Sequence, residues 1–344
     1  MTVNKLKILI IGNYVKNNGG ISGVISNHRK KIKDEGFCVD IFNTKRNPLI
    51  RVILIFPLLL KIRYFSIIHI HGCSGFGFFP VILGIFAGKV INNKITVVTY
   101  HGGGAEAFLR KHSKFVRTVL LKADRVTVMS GFLEKIFNSY RIKTQILPNL
   151  IDVQVRENSS VCFDLPRLVS IRALNAIYNI RDILEAFAII KVNYPDAHLK
   201  IVGNGNEIKN LSNISKQLKL TNVTFRGAIS NKQIPDELLK SNIMITVPSF
   251  DNQPMSILES FACGVPVISS NVGGVPYMVE DGYNGFLVDV NQPEQIAEKV
   301  DWIMKHPNQT KEITINAKKE LKQYQWINIK KILFDIYYGD FVEL

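Results

Sequence analysis

Short apolar runs rich in Val and Ile recur along the chain, each followed by a segment that opens on Gly or carries amphipathic spacing. A first series comprises KILIIG (7–12), CVDIF (38–42), SIIHIHG (66–72), ITVVTYHGG (95–103), RVTVMS (125–130) and TQILPN (144–149). A second comprises LVSIRAL (168–174), HLKIVGNG (198–205), NVTFRGAI (222–229), IMITVPS (243–249) and PVISSNVGG (266–274). Runs apolar on both faces suit parallel strands covered by helices on either side, and their alternation with helical segments predicts doubly wound α/β units. Between Asn149 and Arg167 the stretch IDVQVRENSSVCFDLP is polar and aperiodic, as an interdomain linker is. The chain therefore divides into an N-terminal domain over 1–152, a linker over 153–166, a second domain over 167–325 and a closing helix over 326–344. Helical period runs through KKELKQYQWINIKKILFDIYY (318–338), with Trp326, Ile329, Ile332 and Phe334 available to dock on a domain surface. In such sheets ligands sit at the carboxyl ends of the strands, which predicts a site in the cleft between the two domains.

Length agrees, since 344 residues exceed what one hydrophobic core usually serves. The four cysteines, Cys38, Cys73, Cys162 and Cys263, lack metal-ligand spacing and imply neither a zinc site nor a disulfide framework. The opening MTVNKLKILIIGNY has too short an apolar segment for a signal peptide and reads as a first core strand. The most apolar tract, 52–60, is interrupted by Pro57 and is far short of a bilayer span. Charge is distributed unevenly: residues 1–150 hold 23 Lys and Arg against 6 Asp and Glu, while the rest is near balance. Such a basic half points to a polyanion. No nucleic-acid motif accompanies it, and RVILIFPLLLKIRYF and GFGFFPVILGIFAGK set apolar residues beside cations, as an interfacial contact does. An anionic membrane surface, not nucleic acid, is the expected partner.

The strongest local chemistry lies in PSFDNQPMSILESFACGVPVISSNVGGVPYMVEDGYNGFLV (248–288), where Asp251 stands eight positions before Glu259. Pro254 favours a helix start, which leaves the amides of Met255 and Ser256 pointing outward from a positive helix end, a place for phosphate. One turn on, Glu259 can accept hydrogen bonds from a ribose diol, and Asp251 can reach a sugar beyond the phosphates. This describes a nucleotide-sugar site. The GNG at 203–205 is too incomplete for a dinucleotide fingerprint, which argues against NAD. His69 and His71 alternate along one strand and are read as structural, satisfied by backbone bonds.

The 248–288 segment resembles the carboxylate-x7-carboxylate signature of family 4 retaining glycosyltransferases, metal-independent enzymes of GT-B architecture with two Rossmann-like domains. The likeness extends through GGISG, HIHG, TYHGG, ADRVTVMS, ILPNLID, SIRAL, LKIVGNG, VTFRGAI and the C-terminal helix, which in this architecture crosses back to the N-terminal domain. It implies that Glu259 binds ribose and that Asp251, in place of the commoner glutamate, contacts the donor sugar. It implies that Arg172 neutralises the departing diphosphate, that His101 lines the sugar pocket, and that Gly19 and Gly20 form a loop approaching phosphate and acceptor. The family's Lys-Gly pair is replaced by AIYNIRD, which leaves Asn179, Arg181 or no residue at all in the lysine's place at the diphosphate. No metal and no cofactor are implied. The expected activity is retaining transfer of a hexose-type sugar from a nucleoside-diphosphate sugar, UDP favoured over GDP, to a glycolipid or polysaccharide-precursor acceptor. The expected location is the cytoplasm, peripheral on the inner face of the cell membrane. The alternatives are a GT-B nucleotide-sugar epimerase and a non-catalytic membrane-associated adaptor of the same fold.

Overall fold

A computed structural model describes residues 6–15, 20–44, 53–152 and 162–339. Gly19, Arg51 and the linker residues 153–161 lie outside them. The chain forms two compact units, Met1–Asp152 with Tyr324–Leu344, and Val153–Gln323.

In the first unit the strands are β1 (Lys7–Gly12), β2 (Cys38–Asn43), β3 (Ile67–Gly72), β4 (Ile95–Tyr100), β5 (Arg125–Val128) and β6 (Gln145–Ile146). They form one parallel sheet in the order β2-β1-β3-β4-β5-β6. Its helices are α1 (Ile21–Asp34), α2 (Ile55–Ile62), α3 (Phe79–Ile85), α4 (Ala105–Leu120) and α5 (Gly131–Ser139), and a π-helical segment, Phe86–Ile91, follows α3. The second unit holds β7 (Arg167–Ile171), β8 (His198–Val202), β9 (Val223–Gly227), β10 (Ile243–Thr246), β11 (Val267–Ser270) and β12 (Phe286–Val288). These also pair in parallel, in the order β12-β11-β10-β7-β8-β9. Around them run α6 (Ile180–Asn193), α7 (Ile208–Gln217), α8 (Ile234–Leu239), α9 (Met255–Cys263), α10 (Pro293–Lys305) and α11 (Pro307–Glu320). The last helix, α12 (Trp326–Tyr338), belongs to the first unit.

Side chains alternate across a strand, so a central strand needs apolar residues at every position when both faces are covered. In β1, Ile8 and Ile10 pack with Ile25 and Ile32 of α1 and Ile329 and Leu333 of α12. Leu9 and Ile11 enter the opposite core with residues of α2 to α5. One departure from the sequence reading concerns the C-terminal segment. The helical period over 318–338 is broken by a 3-10 turn at Leu321–Tyr324 and by Gln325, whose backbone is extended (φ −80°, ψ 151°). That break lets α11 pack in one unit and α12 in the other. Besides Ile329, α12 buries Leu333, Ile336 and Tyr337, while Trp326, Ile332 and Phe334 are partly buried. Glu35 at the end of α1 anchors the helix, accepting from Trp326 Nε1 at 2.8 Å and pairing with Lys330 at 2.5 Å.

Candidate nucleotide-sugar site

In the second sheet β7 and β10 are neighbours although β8 and β9 intervene in sequence, so the chain reverses its direction of winding between them. That is the switch point at which ligands bind in doubly wound sheets. Arg172 directly follows β7, and Asp251 lies in the loop between β10 and α9. Arg172 Nη2 donates to Asp251 Oδ2 in an ion pair whose side chains are only 11% and 19% exposed. The guanidinium also lies 4.2 Å from the centre of the Tyr178 ring, a cation–π contact that holds its plane. Asp251 Oδ1 accepts the Asn252 amide at 2.7 Å, and the Asp251 carbonyl accepts that of Gly274 at 3.0 Å.

Glycines explain how these loops come so close. Gly273 has φ +54°, and a Cβ there would stand 2.1 Å from the Asp251 carbonyl oxygen. At Gly203, φ is +145° and a Cβ would fall 1.8 Å from the Arg172 carbonyl oxygen. The GNG and VGG motifs thus serve close packing of the strand-end loops that carry Arg172 and Asp251.

Pro254 takes the N-cap position of α9 (φ −65°, ψ 120°), one residue before the first helical position expected for it. No side chain caps this helix. Ser256 in its first turn is buried, and its Oγ has no hydrogen-bond partner in the protein, whereas Met255 is partly exposed. One turn later Glu259 is half-buried as a residue, and its carboxyl group is largely desolvated by the surrounding protein. Desolvation pushes its acid up to about 8, against a smaller opposing pull from the Arg172 charge. The structure therefore brings Arg172, Asp251 and Glu259 into one electrostatic neighbourhood.

The two candidates for the missing lysine part company. Asn179 has left-handed backbone (φ 46°, ψ 42°), its Oδ1 accepts from Ser249 Oγ at 3.1 Å, and its buried Nδ2 has no partner. Arg181 is exposed and pairs with Glu185 at 2.8 Å along α6. Arg172 Nε is likewise buried without a partner. Arg172 Nε, Asn179 Nδ2 and Ser256 Oγ are thus buried polar groups that the fold itself leaves unpaired. Arg181→Ala is expected to leave UDP affinity within about twofold, since an exposed ion pair contributes little. Asn179→Ala is expected to reduce it roughly three- to tenfold, the worth of one hydrogen bond. Calorimetric titration separates them, and the reverse ranking would return the diphosphate to Arg181.

In the N-terminal unit His101 follows β4 and is buried, with Nε2 at 2.7 Å from His71 Nδ1 and Nδ1 at 3.0 Å from Met129 Sδ. Burial lowers its pKa to about 3, so the ring is neutral. Gly20 precedes α1 at φ +59°, ψ −139°. A Cβ there would meet no protein atom within 4 Å, and the positive φ is by itself a backbone conformation that favours glycine. His69 and His71 are held by side chains, not by the backbone bonds expected of them. His69 bonds Tyr337 Oη and Thr99 Oγ1, each at 2.7 Å, and His71 bonds His101. His28 of α1 adjoins them and was not singled out from sequence. Its spacing from Ile25 and Ile32 put it on the buried face of that helix, which was the available signal.

Residues 162–320 match the family model described as Glycosyl transferases group 1. The paired parallel sheets give the chain the GT-B fold of glycosyltransferases. The chain is 22% identical to an uncharacterized glycosyltransferase of Methanocaldococcus jannaschii, over 93% of this chain and 95% of that protein. It is 26% identical to N-acetyl-alpha-D-glucosaminyl L-malate synthase of Bacillus anthracis, over 70% and 65% of the two. Among solved structures, Anabaena HepE in complex with UDP and glucose is similar with a TM-score of 0.79 and 17% identity, covering 97% of this chain and all (100%) of that one. Sucrose-phosphate synthase from Thermosynechococcus elongatus gives a TM-score of 0.80 and 17% identity, covering 99% and 100%.

Proposed function

We propose that this protein is a family 4 retaining glycosyltransferase that moves a hexose-type sugar from a UDP-sugar to a glycolipid or polysaccharide-precursor acceptor. The observation that carries the reading is the grouping of Arg172, Asp251 and the desolvated Glu259 at the switch point of the C-terminal sheet. The UDP and UDP-glucose complexes of the similar HepE support the choice of base. Glu259 binds the ribose hydroxyls, and the α9 amides with Asn179 hold the diphosphate. Asp251 positions the sugar and keeps Arg172 aimed at the phosphate it must neutralise. During transfer the acceptor oxygen bonds to the anomeric carbon on the face that the diphosphate leaves, and the acceptor proton passes to the departing phosphate oxygen. Arg172 and the helix amides stabilise the charge that grows there, where fixed dipoles count most. In the N-terminal unit, His101 is assigned to the sugar and Gly20 to the phosphate and acceptor. Incubation with radiolabelled UDP-hexoses and a membrane lipid extract tests the activity. Labelled product that requires acceptor is expected, whereas no product, or epimerised nucleotide sugar without acceptor, overturns it.

The acceptor side of the proposal includes an anionic membrane surface. On α2, Leu58 and Ile62 are buried while Phe56 and Leu60, one turn apart, are exposed at 70% and 63%. The adjoining π-helical segment exposes Phe86, Val90 and Ile91. Among the described residues no helix is long and apolar enough to cross a membrane. These exposed apolar residues lie on two elements that are in contact within the basic unit. Vesicle flotation is expected to recover the protein on phosphatidylglycerol and poorly on phosphatidylcholine. Recovery should weaken with salt as the screening length falls from about 10 Å at 0.1 M to about 3 Å at 1 M. Phe56→Ser with Leu60→Ser should remove the salt-resistant part. Equal recovery on both lipids, or none on either, contradicts electrostatic docking.

A further inference from the structure

Four of the chain's seven histidines, His28, His69, His71 and His101, meet in the interior of the N-terminal unit. His69 and His71 lie on the same face of β3, with ring centres 4.4 Å apart, and His28 of α1 stands 6.1 and 5.8 Å from them. Both nitrogens of His28 and Nε2 of His71 are buried with no hydrogen-bond partner in the protein. An unsatisfied buried polar group is costly, and a leucine at position 28 would fill this core without that cost. The proposed transfer gives His28 and His69 no task. One nitrogen from each of His28, His69 and His71 lies within 4.8 Å of the other two.

We propose that His28, His69 and His71 bind one divalent transition-metal ion of the zinc class. Imidazole nitrogens with no carboxylate among them suit zinc, cobalt or nickel, and not magnesium or calcium, which take oxygen ligands. Zinc–nitrogen bonds of about 2.0–2.1 Å in tetrahedral geometry set ligand nitrogens about 3.3 Å apart, so the three rings draw inward on binding. The surroundings are those of a ligand set with oriented outer partners. With its Nε2 on the ion, His71 donates its Nδ1–H to His101 Nε2, and His101 in turn points its Nδ1–H at Met129 Sδ. His69 uses both nitrogens, on Tyr337 and Thr99, so one of these bonds opens for the ion and the other continues to orient the ring. Three protein ligands leave a coordination position for water. An occupied site fixes the tautomer of His101 and ties α1 to β3.

The test uses the full chain without an affinity tag, stripped with EDTA and titrated with cobalt(II) chloride, then zinc chloride. One equivalent of cobalt should be taken up, with visible absorption of a low-symmetry site that zinc abolishes. Zinc should raise the melting temperature, and magnesium should not. His28→Gln and His71→Gln should each weaken uptake at least tenfold, while His198→Gln, an exposed histidine, should leave it unchanged. No stoichiometric uptake by the wild type, uptake that persists in His28→Gln, or uptake lost with His198→Gln overturns the proposal. Should the core variants fold poorly, imidazole nitrogen NMR of the wild type decides. Zinc must shift the resonances of the three core rings, and shifts confined to the exposed histidines overturn the site.

Discussion

Glu259→Gln is expected to weaken UDP binding by about 1.5–3 kcal/mol, roughly ten- to a hundredfold, because ribose hydroxyls lose a charged acceptor. The same substitution should remove a pH dependence. In the ligand-free protein, desolvation raises the Glu259 acid from its ordinary 4.5 to about 8. The folded chain therefore holds this proton over a range in which the unfolded chain has released it. Its contribution to stability is fully present below pH 4.5 and is lost as pH rises through the window from 4.5 to about 8, with a slope of up to about 1.4 kcal/mol per pH unit. Glutamine does not titrate, so the melting temperature of E259Q should gain on the wild type across that window. Ribose hydroxyls are best met by the ionised carboxylate, so wild-type UDP affinity should rise toward pH 8 with release of a proton. E259Q should show neither effect. Calorimetry in buffers of different ionisation enthalpy reads that proton directly, and equal, pH-independent affinity for both proteins would remove Glu259 from the site.

Arg172→Ala should lower turnover by about 10²- to 10³-fold, the usual cost of losing one group that stabilises transition-state charge, with a smaller change in donor affinity. It also leaves the Asp251 carboxylate partly buried without its cation, a destabilising change of several kcal/mol when such a pair is broken from one side. Pairing it with Asp251→Asn separates these effects. The double variant should recover most of the lost stability and little of the lost turnover, and melting curves alongside single-turnover rates would establish both. An unchanged single-turnover rate with only weaker donor binding would make Arg172 a uniform binding group.

The sheets were readable because central strands must be apolar on both faces, and KILIIG or ITVVTY has few other uses. The short strand Phe286–Val288 was passed over because three residues inside a polar motif carry no period. Helical period also failed to show the break at Gln325, since one extended residue hardly disturbs an apolar stripe on either side. At the site, the spacing of Asp251 and Glu259 and the type of Arg172 were legible. Their electrostatic coupling was not, because Arg172 and Asp251 are 79 positions apart and meet only through the strand order. Asn179 was preferred to Arg181 only once burial was known. His28 illustrates the same limit: a lone histidine on the apolar face of a helix gains meaning from the β3 histidines it meets across the core.

The stereochemistry of the product tests the central claim most directly. With UDP-glucose, an α-linked donor, and an acceptor identified from the lipid extract, proton NMR of the product reads the anomeric coupling. An α-linked glucoside is predicted, since bond formation and departure share one face of the sugar. A β-linked product, or glucose released without transfer, would contradict the account.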